Sequence, residues 1–461
     1  MDYKKISIGI DEATKRIKDK KKNIIKEILI SSLRAVDPFE IMKTSLTNNE
    51  GIIDINNVKY DLNKYKDIYL VSIGKASMPM AFAAQEAIGK YIKKGIVLTK
   101  SIDDLYKNKI KNNFEILTGG HPVPDKNSID STKNIIELLK NTNQNDLVIF
   151  LISGGGSALM KHPNNNITLI ELQHMTNLLL SCGANIDEIN SVRKHLDKVK
   201  GGGLAKLAYP SQSISFILSD VIGNGLEVIA SGPTYYDSTS FKNALGTISK
   251  YNLSSKVPSN ILSTLKRGDE GLISETVKPG DVFINNVNNI IIASNLTAAQ
   301  AAEKKAKYFS LNSSIYTTYL SGEAKHVGLT LSAFIKEIVY NNQPLQKPAC
   351  IICGGESTVS IKGDGFGGRN LELALGSVEA LSGQEDIVFI TLATDGEDGP
   401  TDAAGAVVTG DTYNIGKSLG LLPRDYLKRN DSYNYFNNIG SIIKIGSTGT
   451  NVNDLNFIFV F

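Results

Sequence analysis

Mostly apolar runs that end in glycine-rich turns limit what this chain can fold into more than any other feature. Asp67–Ile73 (DIYLVSI) ends at Gly74, and a helix pattern begins at Ser77. Leu147–Ile152 (LVIFLI) ends in SGGGS, and another helix pattern begins at Ser157. Short apolar runs that alternate with helices are typical of parallel strands joined by right-handed crossovers. The sequence therefore predicts an α/β fold with a mainly parallel sheet.

The alternation of strands and helices occurs twice, on either side of a polar segment between Asp237 and Pro279. The length of 461 residues is enough for two or three domains of about 100–200 residues each. We therefore predict two α/β domains, a larger N-terminal one over residues 1–280 and a smaller C-terminal one over residues 281–461.

Composition excludes several classes of protein. Lys and Arg total 50 and Asp and Glu total 47, so a net charge of +3 gives no general attraction to nucleic acid or anionic membranes. No apolar run reaches the length of a membrane helix, and the N-terminus lacks the apolar core of a signal peptide. Three cysteines cannot form a disulfide framework, and ACIICGG around Cys350 and Cys353 predicts a buried strand rather than a redox or zinc site. We expect a soluble, cytoplasmic protein.

Ligands of open α/β sheets bind beyond the carboxyl ends of parallel strands, so residues that follow strands are the candidates. The loop Ser153–Ser157 joins a strand to a helix, and its glycines and helix-start N–H groups predict a cradle for phosphate or carboxylate. Lys75 follows the other strand and can act as a point charge on the same ligand. The alternatives are a tight turn without ligand and a solvated surface lysine.

A basic segment, NSVRKHLDKVKGGG, carries Arg193, Lys194, Lys198 and Lys200 on a predicted helix that ends in glycines. Such a helix could close over an anionic substrate. The alternative is a solvated, charged helix face.

Two acidic features also follow strands. Asp220, with Asn224 close behind, can ligate Mg²⁺ or orient a hydroxyl, or else can cap a turn. The segment Thr394–Asp402 has four carboxylates whose repulsion a hard cation such as Mg²⁺ would relieve. The alternative is an exposed acidic turn.

The segment Gly363–Gly368 (GDGFGG) matches the GxGxxG pattern of dinucleotide-binding proteins. The strand predicted before it, Thr358–Lys362, is short and polar, and Arg369 directly follows the last glycine. We therefore favour a flexible glycine loop that presents Arg369 to a phosphate.

Nine blocks in this order resemble the class II glycerate 2-kinases, whose C-terminal part is the MOFRL domain. The blocks are GKAS, TGGHPVPD, SGGGSALM, NSVRKHLDKVKGGGLAK, LSDVIGNGLEVIASGPT, GGEST, GFGGRNLELAL, TDGEDGPTDAAGA and TGTNVNDL. The resemblance implies a larger Rossmann-like N-terminal domain, a smaller MOFRL domain and an active site in the cleft between them. It also implies phosphorylation of D-glycerate on its 2-hydroxyl with ATP and Mg²⁺. The chain departs from the family at Asn224 and Gly225, where acidic residues are frequent, and at Leu371, where glutamine is frequent.

The family's key lysine and arginine fall on Lys75 and Arg369, and Asp220 is the candidate that takes or orients the 2-hydroxyl proton. Asp395 and Asp398 are candidates for holding Mg²⁺, although the roles of Asp220 and these two carboxylates can be exchanged. The remaining candidates would bind phosphate or substrate: Ser153, Gly154, Gly155, Gly156, Ser157, Arg193, Lys194, Lys200, Asn224, Glu356 and Asn370.

The expected partners are D-glycerate and a nucleotide, with no nucleic acid and no membrane, for a monomer or homodimer. Two rival functions are open at this point. One is an NAD(P)-dependent hydroxypyruvate reductase, which the GxGxxG match favours. The other is a non-catalytic anion-binding protein, which would leave the acidic segment unexplained.

Overall fold

The computed structural model describes residues 1–164 and 166–461, which form two compact units. The terminal unit contains both chain termini and comprises Met1–Asp37, Asp220–Gly223 and Ala293–Phe461. The central unit comprises Pro38–Ser219 and Asn224–Ile292. The domain division at residues 280 and 281 stays a prediction.

Helices and strands alternate along most of the described chain. The helices are α1 Tyr3–Ala13, α2 Asp19–Arg34, α3 Pro38–Ser45, α4 Ser77–Ile88, α5 Asp104–Lys107, α6 Lys126–Lys140, α7 Gly156–Leu159, α8 Leu169–Ser181, α9 Ile186–His195, α10 Gly203–Ala208, α11 Phe241–Lys250, α12 Ser259–Asp269, α13 Val282–Asn285, α14 Asn295–Tyr308, α15 Ala324–Asn341, α16 Arg369–Ser377, α17 Thr412–Ser418, α18 Pro423–Lys428 and α19 Ser432–Ile439. The strands are β1 Asn48–Asn49, β2 Ile52–Ile55, β3 Val58–Asp61, β4 Ile68–Ile73, β5 Ile92–Thr99, β6 Phe114–Thr118, β7 Leu147–Ile152, β8 Gln212–Leu218, β9 Val287–Ala293, β10 Asn312–Leu320, β11 Ala349–Gly355, β12 Ile387–Ala393, β13 Gly405–Thr409, β14 Ile442–Ile443 and β15 Asp454–Val460.

The sheet of the central unit has the order β6-β5-β4-β7-β8-β9, and the pairs from β6 through β8 are parallel. The predicted α/β fold with a mainly parallel sheet is confirmed here. Every residue of β4 and β7 is buried, which explains why both strands are continuous apolar runs. These two strands are neighbours, and Ile73 pairs with Ile152. Their glycine-rich turns therefore begin side by side.

The sheet of the terminal unit is mixed, with the order β10-β11-β15-β12-β13-β14. Strands β10 and β11 are parallel, whereas β15 runs antiparallel to both of its neighbours, β11 and β12. Asp454, the first residue of β15, pairs with Gly355 at the end of β11 and with Ala393 at the end of β12. The start of one strand and the ends of two others thus share one sheet edge.

The strand predicted over Thr358–Lys362 is wrong. The described chain has a single bridge there, between Thr358 and Glu323. The side-chain oxygen of Asn430 accepts hydrogen bonds from the N–H groups of Lys362 and Gly363 instead (2.8 and 3.1 Å). A side chain thus satisfies backbone groups that the predicted strand would have used in a ladder.

The buried strand predicted around CxxC is confirmed, because Cys350 and Cys353 both lie inside β11 and are buried. Burial raises the pKa of both thiols, that of Cys353 to about 12. A protonated, inaccessible thiol is inert.

The first two helices pack in the terminal unit. Helix α2 lies against α14, where Ser31 donates to the carbonyl of Ala301 (3.4 Å) and Lys305 pairs with Glu27 (3.4 Å). The Arg16 guanidinium donates to the carbonyl of Ile439 (2.6 Å). Over residues 1–164 and 166–461, no helix combines the length and the apolar character that crossing a bilayer requires.

Candidate functional site

The turns after β4 and β7 touch each other through their backbones. The Lys75 N–H donates to the carbonyl of Gly154 (2.9 Å), and the Ala76 N–H donates to the hydroxyl of Ser153 (3.1 Å). Gly74 has φ +123°, and a Cβ at that position would collide with the Ser153 side chain and carbonyl. Glycine is required there because of both its backbone angle and this close approach. The contact places Lys75 against the predicted phosphate loop.

The ring of His121 lies beside Lys75 and Gly155, where the two turns meet; this group of residues is called the Lys75 corner below. A Cβ on Gly155, which has φ +82°, would lie 3.0 Å from the His121 ring and 3.2 Å from the Lys75 side chain, so the three residues meet. Burial, together with the charges of Lys75 and Lys100, lowers the pKa of His121 to about 4. The imidazole is therefore neutral at neutral pH. The sequence indicated only a turn at this histidine.

A buried lysine holds the other end of the loop. The Lys200 ammonium donates to the carbonyl and the hydroxyl of Ser157 (2.7 and 2.8 Å), and the Ser157 hydroxyl lies 2.8 Å from that of Ser231. Burial lowers the pKa of Lys200. Ala230 and Ser231 both have positive φ angles (50° and 64°), which cost energy in residues other than glycine. Strained backbone of this kind is concentrated at functional sites, and here it borders the loop.

The helix predicted for the basic segment ends at His195, so the prediction is wrong for Lys198 and Lys200, which lie beyond its end. Lys198 is exposed, but the basic residues on the helix do not form a solvated face. Arg193 is half-buried and lines a cavity beside Ser157. Lys194 is buried, and its ammonium pairs with Asp237 (3.2 Å) and Glu227 (3.6 Å). These carboxylates already neutralise Lys194, so its predicted role in binding substrate stays a prediction that the contacts do not favour.

Arg369 anchors a second group of residues, in the terminal unit. Its Nε and Nη2 donate to the two oxygens of Asp454 (2.6 and 3.0 Å), and its Nη1 donates to Glu356 (2.5 Å). Burial alone would lower the pKa of the guanidinium, but the hydrogen bond and charge of Asp454 and the charge of Glu356 raise it. Arg369 therefore stays charged and is held in one orientation by three charge-assisted hydrogen bonds.

Asn453 joins Asp220 to this group. Its side-chain amide donates to Glu356 and to the backbone carbonyl of Asp220, both at 2.9 Å. The structure thus brings together three predicted site residues, Asp220, Glu356 and Arg369. Asn224 lies in the central unit with a left-handed backbone (φ 57°).

Sequence reasoning missed Asp454 and Asn453 as site residues. It considered residues that follow strands, whereas Asp454 begins β15 and Asn453 directly precedes it. An antiparallel strand carries its first residue to the edge where its neighbours end. The block TGTNVNDL contained both residues, but its place in the sheet could not be deduced from its letters.

Asp398 does not fit the metal-ligand role predicted for it. Its two oxygens accept from the backbone N–H groups of Asn370 (3.0 Å) and Leu371 (2.8 Å), so it caps the start of α16. Burial raises its pKa to about 7, although these hydrogen bonds oppose the rise. Asp395 is half-buried and accepts from the N–H of Glu397 (3.2 Å). Among the described residues, no three His, Cys, Asp or Glu side chains are arranged to hold a metal ion.

The glycines of the GxGxxG match are explained by chain packing. A Cβ on Gly363 or Gly365 would collide with the backbone of Arg429, and one on Gly368 would collide with Asp398. The Gly365 N–H also donates to the carbonyl of Arg429 (2.8 Å). With no strand over Thr358–Lys362 to precede it, this segment lacks the context of a dinucleotide-binding fingerprint.

Comparison with known proteins gives consistent matches. A family model described as "Domain of unknown function (DUF4147)" matches residues 24–266, and the "MOFRL family" model matches residues 349–454. The chain is 41% identical to the D-glycerate 2-kinase of Thermotoga maritima, over 94% of this chain and 97% of that protein. A crystal structure of the glycerate kinase of Thermotoga maritima has 39% identity and a TM-score of 0.84, covering 96% of this chain and 100% of that one. A putative hydroxypyruvate reductase of Agrobacterium vitis is 37% identical over 85% of this chain and 86% of that protein.

Proposed function

This chain belongs to the glycerate 2-kinase family, and we propose that it transfers a phosphoryl group from ATP to the 2-hydroxyl of D-glycerate, giving 2-phospho-D-glycerate and ADP. The observation that carries the proposal is the paired turn of Lys75 and the Ser153–Ser157 loop, in which a lysine lies against a glycine-rich helix start. Phosphoryl transfer depends on positioning and charge neutralisation more than on covalent catalysis, and this corner supplies both.

The nucleotide phosphates lie on this corner in our proposal. The N–H groups at the start of α7 face an anion, and the Lys75 ammonium adds a positive charge on the transferring group. The neutral His121 contributes a hydrogen bond without competing for the anion. Lys200 fixes the conformation of the loop at Ser157, because its ammonium donates to both the carbonyl and the hydroxyl of that residue.

Arg369 and Asp220 act on the reacting groups. Three of the five N–H groups of Arg369 bind Asp454 and Glu356, so the remaining two can donate to a phosphoryl oxygen from a fixed position. Asp220 takes or orients the proton of the attacking hydroxyl. Asp398 contributes indirectly, because it holds the helix start that carries Arg369 and Asn370.

Mg²⁺ is proposed as a companion of the nucleotide. Magnesium in kinases is bound mainly by phosphate oxygens and water with one or two carboxylates, so it does not need a cage made by the protein alone. Asp398 does not fit the role of a magnesium ligand, because both of its oxygens accept from backbone N–H groups of α16. Asp395 therefore remains the candidate ligand. We further propose a cytoplasmic location and a monomer or homodimer.

The rival reductase function has the name of one relative in its favour. It would need a nicotinamide cofactor, and the segment that suggested one is explained by the packing of Gly363–Gly368. Oxidation of NADH by hydroxypyruvate, with no ATP-dependent product from glycerate, would support the reductase.

A coupled assay tests the proposed kinase and its regiochemistry. The protein is incubated with D-glycerate and MgATP, and enolase is added with or without phosphoglycerate mutase. Enolase consumes 2-phosphoglycerate directly, whereas 3-phosphoglycerate requires the mutase first. We expect a signal with enolase alone. A signal that depends on the mutase would contradict transfer to the 2-hydroxyl, and ligand binding without any product would support the non-catalytic alternative.

A further inference from the structure

A cavity of about 240 Å³ in the central unit opens beside the phosphate loop. Its wall includes the polar and charged side chains of Ser157, Lys161, Arg193 and Gln173 together with the apolar Leu172. Ser157 belongs to both the loop and the cavity wall. A ligand in this cavity would therefore lie next to the group that the loop holds.

Positive charge exceeds negative charge around this cavity. Lys161 and Lys200 are 6% and 1% exposed, Arg193 is half-buried, and Asp197 is the carboxylate that pairs with Lys161 (3.4 Å). The Asp197 oxygen that accepts from the backbone N–H groups of His162 and Val199 is already in use. Burial lowers the pKa of all three cations, and each of the two lysines also feels the charge of Arg193. Such a cluster gains stability when an anion enters.

Arg193 is the cation best placed to receive that anion. The Lys200 ammonium is bound to Ser157 and the Lys161 ammonium to Asp197. Within residues 1–164 and 166–461, by contrast, the structure gives the Arg193 guanidinium neither a hydrogen bond nor an ion pair, although it is half-buried. A half-buried guanidinium facing a cavity is ready to make a bidentate pair with a planar carboxylate.

We propose that Arg193, supported by Lys161, binds the carboxylate of the acceptor in this cavity and so selects a small hydroxy acid over a neutral alcohol. The inference rests on the proposed function and names the substrate subsite within it. A carboxylate is favoured over a nucleotide phosphate because, in the proposed function, the loop and Lys75 already hold phosphate, and Ser157 is the residue that the loop shares with this cavity. The carboxylate seated at Arg193 brings the substrate hydroxyls towards the loop.

The test compares Arg193→Lys and Arg193→Met with Arg267→Lys, a matched change at an exposed arginine of the same unit. The KM values for D-glycerate and for ATP are measured separately, and binding of D-glycerate alone is followed by its thermal stabilisation of the protein. We expect both Arg193 variants to raise the KM for D-glycerate about 10- to 100-fold, the scale of a lost bidentate charge-assisted hydrogen bond. The KM for ATP and the behaviour of Arg267→Lys should not change. Glycerol, which lacks the carboxylate, should stabilise neither the unchanged protein nor the variants.

The outcomes separate this inference from the proposed function. If the unchanged protein makes 2-phosphoglycerate but Arg193→Lys binds D-glycerate as tightly as before, the inference is wrong and the function stands. If Arg193→Lys raises the KM for ATP instead, the cavity serves the nucleotide and the inference is again wrong. If no product forms but Arg193→Lys loses the stabilisation by D-glycerate, the carboxylate site is supported without the kinase. Should Arg193→Met fail to fold, Arg193→Lys alone decides, because lysine keeps the charge but not the planar fork.

Discussion

Two arginines in the two units have opposite surroundings. Arg369 in the terminal unit donates three hydrogen bonds to Asp454 and Glu356, whereas the described structure offers Arg193 in the central unit no acceptor. The neighbours of Arg369 are carboxylates, and those of Arg193 are Lys161 and Lys200. The same side chain is therefore fixed in place by the protein at one site and left to a ligand at the other.

This difference shows why charge alone does not assign a role. A cluster with excess positive charge is incomplete without an anion, so it is expected to bind one. A cluster in which carboxylates surround an arginine is already satisfied, so its arginine is oriented for a task rather than vacant. Changes in the cationic cluster should therefore affect anion binding, whereas changes in the acidic cluster of Asp454, Glu356 and Asp398 should affect the orientation of Arg369.

The largest effect is expected at Lys75. Lys75→Ala should lower turnover at least about 100-fold, because it removes a charge from the place where negative charge develops in phosphoryl transfer. Steady-state kinetics with D-glycerate and MgATP measures the loss. Lys133→Ala, at an exposed lysine in a surface pair with Asp130, is the control and should be unaffected. Turnover near normal in Lys75→Ala would refute the role of this lysine.

Arg369→Ala should also lower turnover about 100-fold, the scale of a lost charge stabiliser, and it should reduce stability as well. The second effect follows because Asp454, whose side chain is 5% exposed, would keep a buried charge without its partner. Arg369→Lys should restore little activity, because an ammonium cannot make the forked contact with Asp454. Unfolding by urea and kinetics are measured together, with the exposed Arg424→Ala as the control. A variant as stable as the unchanged protein would contradict the orienting role of the carboxylates.

Asp398 should make the free energy of unfolding depend on pH. The pKa of its carboxyl is about 7 in the folded protein against an ordinary value of 3.8, so between these pH values the folded protein retains a proton that the unfolded chain releases. This carboxyl therefore makes the free energy of unfolding fall as pH rises from about 3.8 to about 7, after which its effect is constant. Asp398→Asn, which cannot titrate, should lack this slope.

The measurement is urea unfolding of Asp398→Asn and of the unchanged protein across the same pH range. The difference between the two free energies isolates this carboxyl from the other titrating groups. Asp398→Asn should also be less stable at low pH, because its amide nitrogen cannot accept a hydrogen bond from a backbone N–H of α16, whereas the hydroxyl oxygen of a protonated carboxyl can. A pH-independent difference would contradict the buried, protonated cap.

The smallest effect on chemistry is expected in β11. Cys350→Ser combined with Cys353→Ser should leave turnover unchanged, because both thiols are buried in the strand and inert. Stability should fall, since two buried hydroxyls replace apolar thiols. The matched control is Cys182→Ser at the half-buried cysteine. If the double variant folds but has no activity, the structural role of this motif is wrong.

The sequence predicted the Lys75 corner because it depends on local signals. Both turns follow predicted parallel strands, so general rules of α/β folds place Lys75 and Ser153–Ser157 at one edge of the sheet. The pairing of β4 with β7, which brings the two turns into contact, was not predicted. The activity was predicted from the family resemblance, which rests on nine sequence blocks in the family's order.

The acidic cluster was harder to predict because its geometry depends on strand direction. Asp454 reaches Arg369 because β15 is antiparallel to its neighbours, which no local pattern indicates. The direction of a side chain is equally hidden. Asp398 turns inward to cap a helix and Lys194 turns inward to Asp237, although both were predicted to face a ligand.

The most direct test is a crystal structure with D-glycerate and a non-hydrolysable ATP analogue bound. The account predicts that the nucleotide phosphates contact Lys75 and the Ser153–Ser157 loop, and that the glycerate carboxylate contacts Arg193. Phosphates bound away from both Lys75 and that loop would contradict the account.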